Sequence, residues 1–401
     1  MSRTVEEIIG KDHIAALRQP ICDARGLPGA AYTSEEFFEL EQERMFRRTW
    51  MCVGFECDIP NPGDAMPITV GGLPIILVRG KKGEIKAFHN VCRHRATLVL
   101  TQPGKGLTSL TCPYHAWAWD LDGKLKATPY FDGSRGGDKA GRFDKEKYGL
   151  VPVRCGVWYH WVFVNMDGNA PPLKKHVQPM IDLLDGQDLG ACRVGLREDW
   201  EFNANWKLQN DNWETYHHIW VHKGIFNKMS NEVDLKTGEP WTLTQQNGTV
   251  VTLTRRPGGP PFQRPKSKLP MIPVPEGKER FGGTNVIFPN VTMTIAGNHI
   301  ASVVTDPIAP DKTVAKMGFF FVGDAAKSKS FAADRKRTLD RWMGPTRKKG
   351  DLGGIRSQDM DIWEVQQIAR KSPVADEVVF SPTWEANIHH FQNMLVDYME
   401  S

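Results

Sequence analysis

The sequence predicts an α+β protein of two domains, a small antiparallel β domain followed by a larger mixed one, and three observations carry that prediction. At 401 residues the chain is longer than one ordinary domain. Residues 66–165 are dominated by short β-type runs punctuated by glycine. Beyond about residue 170, strand-like and helix-like stretches follow one another without βαβ regularity.

The elements follow in chain order. Residues 33–50 place polar starters before Phe37, Phe38, Met45 and Phe46, which reads as one amphipathic helix leading into the first domain. Met66–Val70, Leu73–Val78 and Gly83–Phe88 read as short strands, and strand-like sequence continues to Trp161–Asn165. Asn169-Ala170-Pro171-Pro172 marks the boundary. Arg255–Gly277 is too rich in proline and glycine for one regular element, so it is a long loop, either a lid or a disordered segment. Phe288–Ile295 and Lys316–Val322 look like strands of a second sheet, and helix-type sequence runs over Arg356–Arg370 and Thr383–Glu400. There is no internal repeat.

Composition narrows the function classes. A hydrophobic fraction of 40% supports a real core, and no apolar run approaches the length of a membrane span. The start, Met1–Glu7, is polar and lacks an apolar signal segment, so the expected location is the cytoplasm. Cys22, Cys52, Cys57, Cys155 and Cys192 are then expected as free thiols. A net charge of +4 without long like-charge blocks argues against nucleic acid as a partner. Lys327–Lys349 is locally basic, a solvated helix face or else a docking patch for an acidic electron-transfer partner.

The chemistry begins at Cys92-Arg93-His94 and Cys112-Pro113-Tyr114-His115. Cys-x-His and Cys-x2-His at this spacing suit a Rieske [2Fe–2S] cluster, in which two thiolates hold one iron and two imidazoles the other. The competing reading is a Cys2His2 zinc knuckle. A zinc finger would follow its ligands with a short helix, whereas these flanks are strand-like and turn-like, as two cluster-bearing loops on a β domain require.

The chain as a whole resembles the large (α) subunit, or terminal oxygenase component, of a Rieske non-haem iron oxygenase. The matching segments are Asn90–Arg95, Cys112–Trp117 and Asp120–Leu125, with alanine at Ala96 and Ala116 where that family usually has glycine. The resemblance implies residues 1–48 as an N-terminal helical segment packing on the catalytic domain, 49–168 as the Rieske domain and 169–401 as a mononuclear non-haem iron catalytic domain. That last domain would be of the helix-grip type, with an antiparallel sheet.

The second constellation is Glu214-Thr215-Tyr216-His217-His218-Ile219-Trp220-Val221-His222. Two imidazoles and a distant carboxylate make the facial triad of non-haem Fe(II). By resemblance the imidazoles are His217 and His222, and the carboxylate is Asp359 in Gln358–Gln367. Five residues place His217 and His222 roughly 140° apart around a regular helix, so His218 with His222 is the competing pair, and the preferred assignment requires a broken turn. Asp361 and Glu364 are nearby alternatives to Asp359. Glu214 occupies the family's bridging position, where an acid joins an iron-binding histidine to a cluster-binding histidine, here His115, of the neighbouring subunit. That implies a homotrimer, or a multiple of one. Asn205-Trp206-Lys207-Leu208 starts one residue closer to Glu214 than expected, which argues against Asn212 beside the iron. Trp213, Tyr216 and Trp220 interleave with the ligands, as core residues or as a cage for a cationic substrate.

The implied activity uses O2 and electrons from NAD(P)H. The chain has no nucleotide-binding Gly-x-Gly-x-x-Gly after a strand, so an NAD(P)H-dependent reductase or ferredoxin would be a separate partner. Most members of the resembling family carry aspartate at the position of Glu214, and glutamate is typical of a smaller set that includes oxygenases of carnitine-like and betaine-like amines, so the resemblance points to hydroxylation or demethylation of a small N-methyl or quaternary-amine compound. An aromatic-ring hydroxylating dioxygenase is the alternative. A pure Rieske electron carrier is the remote one, because it would need little beyond the first domain.

Overall fold

The computed structural model describes residues 3–135, 143–212, 220–222, 233–234, 236–255, 267–350 and 353–400. The chain divides into two compact units, Met45–Lys175 and the combination of Met1–Arg44 with His176–Ser401.

The unit Met45–Lys175 is all β. Strands β1 (Met51–Phe55), β2 (Ala65–Val70), β3 (Leu73–Arg79), β4 (Ile85–His89), β8 (Pro152–Trp158) and β9 (Trp161–Asn165) form an antiparallel sheet in the order β1-β9-β8-β4-β3-β2. A three-stranded sheet follows from β5 (Leu110–Thr111), β6 (Ala118–Trp119) and β7 (Leu125–Ala127). Gly71 and Gly72 join β2 to β3 with φ of 55° and 74°. A two-residue turn with positive φ at both positions matches the twist of a hairpin, and glycine adopts it without steric cost. Behind the cysteine loops lies a core of Ile76, Val78, Phe88, Leu110, Trp117 and Trp119.

The second unit is built on a seven-stranded antiparallel sheet. Its strands are β10 (Cys192–Phe202), β11 (Thr242–Asn247), β12 (Val250–Arg255), β13 (Gly283–Ile287), β14 (Val291–Ile295), β15 (His299–Ala309) and β16 (Lys312–Val322), in the order β10-β16-β15-β14-β13-β12-β11. Along β16, Thr313, Ala315 and Met317 alternate buried with half-buried neighbours, and then Met317–Phe321 are all buried. One end of this strand therefore has one wet face, and the other is covered on both.

Helices α1 (Val5–Ile9), α2 (Lys11–Leu17), α3 (Ala30–Thr33) and α4 (Glu35–Glu41) come from the N-terminal segment. The expected single helix over 33–50 is broken at Ser34, whose side chain caps α4 by accepting from Phe37 N, and it continues as a π-helical turn over Gln42–Phe46. Later come α5 (Leu173–His176), α6 (Gln178–Leu184), α7 (Trp206–Asn210), α8 (Ala332–Met343), α9 (Ile355–Ala369) and α10 (Ala386–Glu400).

The strand read from Phe288 begins at Val291 instead. Pro289 has no N–H for a ladder. Of the long loop 255–277, residues 256–266 lie outside the described residues. The remainder is anchored: Leu269 and Ile272 are buried, Ile272 N donates to Gly297 O, and Asp188 N donates to Pro273 O. The basic stretch is neutralised in part. Arg337 pairs with Asp334, Lys336 with Asp340, Arg347 with Glu198 and Lys349 with Glu364. All seven cysteines are free, and burial pushes the Cys155 and Cys192 thiols up to about 12, where they are inert. Among the described residues no helix is long and apolar enough to cross a membrane.

Candidate metal centres

The two cysteine loops share one backbone design despite their different ligand spacing. Cys92 N donates to Thr97 O and Ala96 N to Cys92 O, at 2.8 and 3.1 Å; Cys112 N donates to Trp117 O and Ala116 N to Cys112 O, again at 2.8 and 3.1 Å. The chain reverses at Ala96 and Ala116, with φ of 57° and 53°. These are left-handed positions, so the two alanines do more than add a methyl group: each holds a conformation that glycine adopts freely.

Cys92 and Cys112 are buried and their thiols lie within hydrogen-bond reach of each other. Burial pushes the Cys92 thiol pKa up, while the backbone N–H groups of His94 and Arg95 donate toward its sulfur and pull it down. The His94 and His115 rings lie edge to face with centroids 4.7 Å apart. Trp117 stacks on His94 at 4.9 Å and 6°, and Phe131 meets the same ring edge-on at 5.8 Å. His115 is exposed, with the exposed Tyr114 ring 3.8 Å from it.

One atom tests whether a cluster fits. His94 Nδ1 is buried without a hydrogen-bond partner, a costly state for an imidazole nitrogen, and a metal ion would complete it. Among the described residues no three His, Cys, Asp or Glu side chains converge on a single ion. The four donors here converge in twos, thiol with thiol and ring with ring, as a two-iron cluster requires.

The second site is assembled by α7 and α9. Asn205 caps α7 by accepting from Lys207 N, and every residue from Trp206 to Asn210 is buried. Lys207 Nζ lies 2.6 Å from Glu41 Oε1, both side chains fully buried, and Trp206 Nε1 donates to Glu41 Oε2 at 3.0 Å. Burial pushes the Lys207 pKa down and that of Glu41 up, each opposed by the other's charge. Asp211, at the end of α7, accepts from Tyr32 Oη and from Gln392 Nε2.

From this fixed base Asn212 Nδ2 donates to Asp359 Oδ1 at 3.1 Å. The register argument against Asn212 is thereby corrected: the α7 helix is short enough that its C-terminal exit still delivers residue 212 to α9. His222 Nε2 lies 3.4 Å from Asp359 Oδ1, and His222 Nδ1 lies 3.2 Å from Gln358 Oε1. Both His222 and Asp359 are buried. A ring whose Nδ1–H is held by Gln358 presents Nε2 to a metal. A spacing of 3.4 Å suits two donors sharing one ion at bonds of about 2 Å.

Glu214, His217 and His218, with Trp213 and Tyr216, lie outside the described residues. Trp220 is described and is 65% exposed. Glu364 accepts from Asn203 N and pairs with Lys349, which leaves it committed away from the site. Asp361 is half-buried, and that burial pushes its pKa up. Gln358 was missed by sequence reasoning, although it sits in the quoted motif next to Asp359. Nothing in the sequence signals its contact with His222.

Residues 189–401 match the model of the ring hydroxylating alpha subunit catalytic domain, and residues 49–136 match that of the Rieske [2Fe-2S] domain. The chain belongs to the Rieske non-haem iron oxygenases. As in that family, it pairs a Rieske [2Fe–2S] domain with a catalytic domain that binds mononuclear iron.

This oxygenase is 27% identical to the glycine betaine monooxygenase oxygenase subunit of Chromohalobacter salexigens, over 97% of this chain and 91% of the relative. It is 36% identical to the carnitine monooxygenase oxygenase subunit of Escherichia coli K12, over 51% of this chain and 54% of that protein. With the biphenyl dioxygenase alpha subunit of Metapseudomonas furukawaii it shares 33% identity over 54% of this chain and 49% of the relative. Two solved structures share the fold. The quaternary ammonium Rieske monooxygenase CntA with γ-butyrobetaine has a TM-score of 0.73 at 23% identity, covering 96% of this chain and 98% of CntA. Naphthalene 1,2-dioxygenase from Rhodococcus has 0.75 at 20%, covering 98% and 99%.

Proposed function

We propose that this Rieske oxygenase is a terminal oxygenase that uses O2 and electrons from NAD(P)H, passed on by a separate reductase or ferredoxin, to hydroxylate or demethylate a small N-methyl or quaternary-amine compound. The observation that carries this reading is the near full-length match to a glycine betaine monooxygenase oxygenase subunit. Glutamate at position 214, typical of the quaternary-amine members, supports it.

Cys92, His94, Cys112 and His115 hold the cluster in this reading, and His217, His222 and Asp359 hold the iron. When bound, the iron supplies open positions at which O2 and substrate meet. Gln358 fixes the His222 ring and Asn212 orients the Asp359 carboxylate, so both donors are aimed before metal arrives. Glu214 accepts a hydrogen bond from an iron-binding histidine and, across a homotrimer contact, from the exposed His115 of the next subunit. The second reading, an aromatic-ring dioxygenase, is favoured by the biphenyl dioxygenase relative.

Purified oxygenase with a reductase, NADH and O2 is to be tested against N-methyl amines and arenes. Formaldehyde release coupled to NADH and O2 consumption is the expected result. cis-Diols from arenes, with no turnover of any amine, would overturn it.

A further inference from the structure

Asp359 shares α9 with a charge that the metal site does not use. Arg356 precedes it by three residues, on the same helix face and displaced by about 4.5 Å of rise. Arg356 is only 8% exposed. Among the described residues it makes no hydrogen bond or ion pair; its guanidinium lies 5.8 Å from the Trp342 ring centroid and feels Asp359 only at a distance. A buried guanidinium in that state is unfavourable. Its position adds to the cost, because Arg356 stands in the first turn of a 15-residue helix, where the helix dipole disfavours cations. Gly354, the N-cap, offers no side chain to the free N–H groups. Guanidinium and helix terminus thus call for the same thing, an anion.

Asp359 is not that anion. Its Oδ1 is held by Asn212 and lies beside His222. The turn is also rigidly placed, since a Cβ on Gly354 would meet Gly344 N at 2.3 Å and the Met343 carbonyl carbon at 2.5 Å. The start of α9 is therefore locked against the end of α8, which carries Trp342. Burial pushes the Arg356 pKa down and Asp359 pushes it up, without removing the charge.

We propose that Arg356, with the first turn of α9, is the subsite for a carboxylate carried by the substrate. This rests on His222 and Asp359 holding the iron, and it narrows the substrate class to amines bearing an acid group. One helical turn between anion site and metal ligand suits a small zwitterion, with its N-methyl end at the iron and its carboxylate on Arg356.

The test is titration calorimetry on the holoenzyme with matched pairs that differ by the acid group: glycine betaine and choline, γ-butyrobetaine and butyltrimethylammonium, benzoate and benzyl alcohol. Wild type is expected to bind the acid of at least one pair about 30-fold more tightly. Arg356→Gln should reduce that preference to within about threefold, and Arg356→Lys should retain part of it, since a lysine keeps the charge but not the bidentate fork. Iron content and the cluster's visible spectrum should not change. The melting temperature of Arg356→Gln should hold or rise, because an unpaired buried charge is removed. The inference is overturned by wild type preferring no acid, or by a preference that survives in Arg356→Gln. Loss of iron or a lower melting temperature in Arg356→Gln with the preference intact would instead make the residue a structural counter-charge. Arg356-dependent preference confined to benzoate would keep the subsite and sink the amine reading.

Discussion

Ala96 and Ala116 carry the strain of the cluster loops. At φ of 57° and 53° each Cβ crowds its own backbone, at about 1 kcal/mol per residue. Replacing either by glycine relieves that strain but loosens the unfolded chain. Ala96→Gly and Ala116→Gly are each expected to stabilise the cluster domain by roughly 0.5 kcal/mol, read as a higher midpoint for thermal loss of the cluster absorbance. A lower midpoint in both would show that the methyl groups make contacts worth more than the strain. His176 is a second residue whose environment has a measurable consequence. Burial lowers its pKa to about 4 while Nε2 donates to Phe288 O at 2.9 Å. The ring is neutral when folded and takes up a proton on unfolding below its ordinary value near 6.5. Its contribution is therefore present above pH 6.5 and is lost as pH falls toward 4, up to about 3 kcal/mol. Urea midpoints measured across that window should fall less steeply for His176→Gln than for wild type; equal slopes would refute the assignment.

At the scale of elements the end of α7 delivers Asn212 to Asp359 on α9, and the two helices show where sequence stops being legible. The approach of Cys92 to Cys112 and of His94 to His115 was readable because the two loops place these side chains by local spacing. The π-helical turn at Gln42–Phe46 and the break at Ser34 were not, because the hydrophobic pattern of residues 33–50 is satisfied by one continuous helix. The Glu41–Lys207 pair spans 166 positions and leaves no periodic trace, yet it is the buried base of α7. The same non-locality hid the contact between Asn212 and Asp359, where spacing pointed the other way. With Asp359 as the proposed iron ligand, that contact is expected to matter as hydrogen bonds to metal ligands generally do. Asn212→Ala should weaken mononuclear iron binding by about 10- to 100-fold, measured by metal analysis after dialysis against a chelator. The cluster's spectrum should be untouched. Unchanged iron retention would mean that Asn212 merely packs beside α9.

For the whole molecule the issue is how His115, proposed as a cluster ligand, would serve an iron held at His222 and Asp359. His115 is exposed, with the exposed Tyr114 ring against it, and we propose that it relays electrons across a subunit contact through Glu214. A relay of this kind separates the two halves of the active site genetically. Cys92→Ser disables only the cluster, and His222→Ala only the iron site. Each homo-oligomer should be inactive, and each should keep the spectroscopic signature of its intact half. Co-expressed with different affinity tags and purified through both, the mixed oligomer should regain activity, because on the order of a quarter of its junctions join an intact cluster to an intact iron site. Relay within a single chain predicts no recovery at all, since no chain in the mixture carries both halves.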